Sequence, residues 1–213
     1  MIVPYPLQDG SLIDKCLADA AAWKKEYAPV SYVSVFVPGS SYVSLGASNS
    51  LEANVFEANC RLDGIKVFRR LSGGEAVFLS PNCTVYSHIL LSHAIPKAAD
   101  FFALNLDSIA TKLTELGIAG ITRRGISDLA INDRKILGCA IYKKTSFIIF
   151  QAVLNVREDP KLIQRYLRHP VREPGYRHSR PHSEFVTSLA EQGYRITPFE
   201  VVELLQYSIT GQN

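Results

Sequence analysis

The sequence has little cysteine and less that could hold a metal. Its four cysteines, Cys16, Cys60, Cys83 and Cys139, are scattered without a CxxC pair, and none of the five histidines stands at ligand spacing from one. That pattern argues against a structural zinc site and for small buried thiols in a reducing compartment. No apolar run approaches the roughly 20 residues needed to span a bilayer, so no membrane association is expected. The opening Met1-Ile2-Val3-Pro4-Tyr5-Pro6 lacks the basic and apolar stretches of a secretory signal, and the expected location is cytoplasmic. A net charge of +3 is too weak to argue for a nucleic-acid partner. No glycine loop ends in Gly-Lys-Ser/Thr, which excludes a Walker loop, and no Gly-x-Ser-x-Gly supports a hydrolase elbow. Repeats, low-complexity tracts and Gly/Ser/Pro linkers are also missing. The 213 residues, 47% of them hydrophobic and 20% charged, are therefore expected to form one globular domain over 1–213.

What is present reads as alternating runs of strand and helix. Leu12, Ile13, Leu17, Ala20, Ala21 and Trp23 recur near the helical period, predicting a helix over 8–28. Strands are predicted over 31–37, 42–45, 66–70, 75–79, 84–91, 128–132, 136–142 and 146–155. Helices are predicted over 51–62, 98–116, 159–167, 183–192 and 198–208, with Gly117 closing the longest as a C′ glycine. Strict β-α-β alternation is absent, which argues against a Rossmann fold. The fold class is α+β, with a mixed, mostly antiparallel sheet flanked by helices.

Two segments carry chemistry. In Arg69-Arg70-Leu71-Ser72-Gly73-Gly74-Glu75-Ala76-Val77-Phe78, a strand ending in two arginines runs into a double glycine and then another strand. Glycines there allow positive φ and close approach, so that successive N–H groups can face phosphate oxygens; a plain hairpin would use them equally well. Arg69 and Arg70 alternate across the strand, so at most one faces a site and the other is expected in solvent. In Asp133-Arg134-Lys135-Ile136-Leu137-Gly138-Cys139-Ala140, a lysine precedes a strand that contains a glycine. Two anionic substrates can meet in a low-dielectric pocket only if a cation offsets their repulsion, and a lysine is a compact charge suited to that task.

Taken together, the two segments resemble the signatures of the lipoate–protein ligase family. The first is similar to Arg-Arg-x-Ser/Thr-Gly-Gly-Gly-Ala-Val, the second to Lys-x-x-Gly-x-Ala. Tyr86-Ser87 resembles the family's aromatic/Ser pair, and Ser127-Asp128-Leu129 its Asn-Asp-Leu element with Ser127 in place of Asn. The resemblance runs from about residue 30 to 200. It implies a catalytic domain of the biotin/lipoate ligase type, which activates lipoate or octanoate with ATP and passes the acyl group to a lysine of an acceptor domain. By the same resemblance Arg70, Ser72, Gly73, Gly74, Glu75, Ala76, Val77 and Phe78 line the pocket for acid and adenylate. Lys135 contacts carboxylate and α-phosphate, with Gly138 and Ala140 beside it. Asp128 orients that lysine or holds Mg²⁺, although a strand-start aspartate can also simply bind its own turn.

The sequence departs from the family at four places. Glu75 replaces the third glycine; a carboxylate facing phosphate at ~4 Å would cost about 4 kcal/mol at an effective dielectric near 20, so it must point away, bind a metal or signal altered chemistry. Leu79-Ser80 replaces His-Asp, and Ile148-Ile149-Phe150-Gln151 stands where the ligases carry His-His-Gly-Thr. The chain ends at Asn213, leaving no room for the C-terminal accessory domain of bacterial ligases, which implies a separate partner chain. Two alternatives follow from these departures. One is an ATP-independent acyltransferase using Cys139, a residue that core packing explains as well. The other is a non-catalytic lipoate-binding module. The basic stretch from Arg165 to His182 is either a docking face for an acidic acceptor domain or a solvated loop.

Overall fold

A computed structural model of the chain describes residues 28–210, with side chains described as far as 206. The helix predicted over 8–28, and Cys16 with it, lies outside the described residues. Among the described residues, nine strands form two sheets. The larger has the order β1-β5-β9-β8-β7-β6, built from β1 (Val30–Phe36), β5 (Cys83–Leu91), β9 (Phe147–Asn155), β8 (Arg134–Lys143), β7 (Asp128–Ile131) and β6 (Thr122–Arg124), with every neighbouring pair antiparallel. The smaller has the order β3-β2-β4, from β3 (Lys66–Arg69), β2 (Tyr42–Leu45) and β4 (Val77–Leu79); its β2–β3 pair is parallel and its β2–β4 pair antiparallel. The α+β class with a mixed, mostly antiparallel sheet is thus what the chain forms.

Six helices accompany the sheets among the described residues: α1 (Leu51–Asn54), α2 (Glu57–Leu62), α3 (Ala98–Glu115), α4 (Pro160–Tyr166), α5 (His182–Phe185) and α6 (Pro198–Thr210). Helix α3 buries Phe101, Asn105, Leu106, Ile109 and Leu113 along one stripe. It ends as its sequence predicts. Gly117 sits at φ +82, its amide donates to Thr114 O, and the Ile118 amide reaches back to Leu113 O, which satisfies two terminal carbonyls. Ile118 and Leu113 are both buried beside that turn.

The structure corrects several boundaries. The helix predicted over 51–62 is two short ones, because β-branched Val55 is extended, buried and bridged to Leu167. Tertiary pairing there overrides helical periodicity. The helix predicted over 183–192 stops at Phe185: Val186 is extended and bridges to Lys135 in parallel, and the Thr187 amide donates to Lys135 O. Strand β4 begins at Val77 rather than 75, and β6 had no counterpart in the sequence reading.

Alternation divides the large sheet into two unlike faces. Ile148, Phe150, Ala152 and Leu154 of β9 enter the main core with Phe101, Leu106 and Ile109 of α3 and Val201 and Leu205 of α6. On the opposite face, one end carries Ile89, Leu91, Phe147 and Ile149, and the other packs Cys83, Val85 and Val153 against Tyr42, Phe68 and Leu79 of the small sheet. Between these apolar clusters lies a transverse row of small or polar residues in direct register, Ser34, Ser87, Gln151 and Ala140.

Candidate active site

That row is the floor of the site, and the glycine turn is built over it. Ser72 is fully buried and its hydroxyl donates to Gln151 Oε1 at 3.2 Å. Gly74 sits at φ +86, a backbone geometry that disfavours any side chain, and a Cβ there would lie 3.6 Å from the Ala140 Cβ. Gly46 approaches so closely from below that a Cβ on it would collide with the Gly74 carbonyl. Gly73 faces open space. Among the described residues, no acceptor is found for the amides of Gly73, Gly74, Glu75 or Ala76. Consecutive unpaired N–H groups in a turn form an anion-binding concavity.

Both arginines of the turn are engaged with backbone, which corrects the expectation that one of them would be solvated. Arg69 Nη1 donates to the carbonyls of Gly46, Ala47 and Asn49 at 2.8–3.0 Å. Arg70 donates to Ser44 O, Gly73 O and Glu75 O at 2.7–2.8 Å, and from Nε to Ser72 Oγ at 3.1 Å. Arg70 thereby occupies the carbonyls on either side of Gly74. Glu75 also has a partner: its carboxylate accepts from Asn54 Nδ2 at 2.7 Å. The side chain is directed at helix α1. Ala76 and Val77 are half-buried, and Phe78 is buried against Tyr166, ring to ring at 4.9 Å.

Lys135 lies over the same face of the sheet as this turn. Its ammonium is 2.8 Å from Asp128 Oδ1, and the aspartate is almost completely buried. The two are not direct partners in the strand register. Asp128 pairs with Gly138 and Lys135 with Ala130, across a bulge at Leu129/Ala130. The lysine therefore folds along its own strand and over Gly138, where a Cβ would stand 2.6 Å from both Cε and Nζ. This explains the Lys-x-x-Gly spacing: the glycine leaves the groove in which the lysine lies. Lys135 keeps about a quarter of its side chain exposed, so the charge is fixed by a buried carboxylate yet open to a ligand.

Both oxygens of Asp128 are engaged. Oδ1 also accepts from Ser127 Oγ at 3.2 Å, and Oδ2 from the Tyr176 hydroxyl at 2.9 Å. The carboxylate is thus held by an ammonium, a hydroxyl and a phenol, and no group of three His, Cys, Asp or Glu among the described residues could hold a metal. Tyr176 was not singled out in sequence, where it stands in a basic, proline-containing stretch 48 residues from Asp128.

Cys139 points away from the floor, its Sγ 3.0 Å from Ser127 O, and burial drives its thiol pKa far up, with Asp128 adding to the effect and Lys135 opposing it. A thiol held protonated is a poor acyl carrier. The basic stretch is largely spent within the fold. Arg165 pairs with Asp63 at 2.7 Å, Arg168 donates to Val55 O and lies over Phe56, and Arg180 donates to Asp133 O and Tyr176 O.

Comparison with known proteins bears on the family and the fold. The lipoyl protein ligase A/B catalytic domain family matches residues 19–210. A protein of Aeropyrum pernix that carries the provisional name lipoate-protein ligase A is 32% identical over 129 residues, 60% of this chain and 47% of the relative. The chain thus spans about half the length of that relative. Among solved structures, the bi-partite lipoate protein ligase of Thermoplasma acidophilum, described with its E2 lipoyl domain, superposes with a TM-score of 0.75 at 18% identity, over 97% of this chain and 79% of that one. A lipoate-protein ligase A bound with ATP gives 0.72 at 17% identity, covering 96% and 81%. At such identities the structural likeness speaks for the fold.

Proposed function

Because the chain belongs to the lipoyl protein ligase A/B catalytic-domain family, we propose that it joins ATP and lipoate or octanoate into an acyl-adenylate and passes the acyl group to a lysine of an acceptor domain. The observation that carries the reading is the placement of Lys135, fixed by buried Asp128, on the same sheet face as the amide-bearing turn. A carboxylate and an α-phosphate would share this ammonium. It would offset their repulsion as the carboxylate oxygen attacks phosphorus and pyrophosphate leaves, and would then stabilise the carbonyl oxygen as the acceptor amine attacks. The amides of Gly73 to Ala76 would hold phosphate oxygens.

ATP and lipoate are ligands of structural relatives, which supports their assignment here. A separate accessory chain, and a lipoyl domain as acceptor, are proposed by analogy with the bi-partite relative. No helix among the described residues is long and apolar enough to cross a membrane, and a cytoplasmic location suits the free thiols of Cys60, Cys83 and Cys139.

The direct test is ATP–pyrophosphate exchange dependent on lipoate or octanoate, measured with and without a lipoyl acceptor domain. Exchange that disappears in Lys135→Ala is the expected result. Acyl transfer between carrier proteins that persists without ATP would replace the ligase reading with an acyltransferase, and tight lipoate binding with no turnover under any condition would leave a binding module.

A further inference from the structure

The phenol of Tyr176 is unaccounted for by either sequence motif, yet it is the donor to the second oxygen of Asp128. How it gets there is specific. Tyr176 is the middle residue of a 3-10 turn, Gly175–Arg177, entered through Pro174. Pro174 packs on Gly125, at a distance where a Cβ on the glycine would just touch it. The ring lies 5.0 Å from that of Phe185, and the Arg124 guanidinium stands over it at 5.7 Å. The exit from the turn is costly, since His178 and Ser179 both adopt positive φ (51 and 57). Side chains of that size rarely take the conformation unless the surroundings impose it. Here Glu173 accepts from the Ser179 amide at 3.0 Å, and Arg180 ties Tyr176 O to Asp133 O on the hairpin that carries Lys135.

We propose that Tyr176 is a positioning residue for Lys135: by holding Asp128 Oδ2, it fixes the carboxylate plane so that Oδ1 directs the ammonium toward the reacting anions. This rests on the reading of Lys135 as the catalytic cation. A carboxylate with a single anchored oxygen can rotate about its Cβ–Cγ bond and carry its ion-pair partner along. Anchoring both oxygens removes that freedom, and a charge placed in advance is worth more in the transition state than one that must be reoriented. Burial and the adjacent Asp128 push the phenol pKa far up, so it remains a donor across the working range.

The test is Tyr176→Phe, which keeps the ring contacts to Phe185 and Arg124 and removes only the hydroxyl. The expected outcome is a fall of about tenfold in kcat for pyrophosphate exchange, with KM for ATP and lipoate within about twofold of wild type. In an Asp128→Ala background the same change adds no further loss, because the hydroxyl's partner is already gone. A Tyr176→Phe protein with wild-type kcat, or one that loses as much activity in the Asp128→Ala background as in wild type, overturns the proposal. Lys135→Ala separates the two levels. If it is inactive while Tyr176→Phe is unaffected, the positioning role alone falls; if it exchanges at the wild-type rate, the lysine assignment falls and takes this one with it. Trace acetylation of Lys135, read by mass spectrometry, gives a measure independent of turnover: its labelling rises in Tyr176→Phe, and unchanged labelling counts against the role.

Discussion

The two faces of the large sheet are made by the same strands and obey opposite rules. On the helix side, β9 contributes Ile148, Phe150, Ala152 and Leu154 to a core that needs volume. On the other side, the central row is Ser34, Ser87, Gln151 and Ala140, with Gly138 beyond it, and what that face needs is the lack of volume. A turn and a lysine can lie against the sheet only because no large side chain stands in their way. One face is defended by packing, the other by vacancy, and substitutions should separate them.

The largest effect is expected at the charge itself. Lys135→Ala lowers adenylate formation by about a thousandfold per folded molecule, and it lowers thermal stability as well, since it leaves buried Asp128 without its cation; retention of rate would remove the site from this face. Next comes the packed side. Phe150→Ala empties a fully buried position and should cost about 3–5 kcal/mol in urea denaturation, while protein that remains folded keeps its exchange activity per molecule. Gly138→Ala reverses that signature: the new methyl displaces the Lys135 ammonium, so activity falls by about tenfold to a hundredfold with stability changed by about 1 kcal/mol or less. A Gly138→Ala enzyme with full activity would show that the lysine need not lie over the glycine. Smallest is Glu75→Gln. The amide can still accept from Asn54, and exchange should stay within about twofold; a large gain would mean that the carboxylate repels the phosphates after all.

The sequence made one side of this comparison easier to read than the other. Most strand positions and the C′ role of Gly117 follow from local periodicity and turn chemistry, and the structure keeps them apart from the later start of β4 and the short β6. The glycine turn and the lysine strand were visible as motifs, but not the reason for their form. That Arg70 is occupied by the carbonyls of Ser44, Gly73 and Glu75, and that Gly138 makes room for Lys135, depend on how distant strands are stacked. Tyr176 was illegible for the same reason, since nothing local distinguishes it from Tyr166. Glu75 shows the limit from the opposite direction. As a charge inside a phosphate-binding signature it looked like a contradiction, and the resolution lies in Asn54, 21 residues earlier in the chain and on another element.

The parallel bridge between Lys135 and Val186, with the Thr187 amide on Lys135 O, bears on how the enzyme comes to exist at all. The strand that bears the lysine is clamped by a segment made much later, and Ser72 of the turn finds its partner 79 residues downstream at Gln151. Closing loops of that length is entropically slow and must precede any reward from the contacts they allow. A chain emerging from the ribosome would therefore carry both motifs long before it could use either. The clamp on Lys135 and the anchor of Ser72 are thus both long-range contacts, out of reach of a chain synthesised only as far as Lys135.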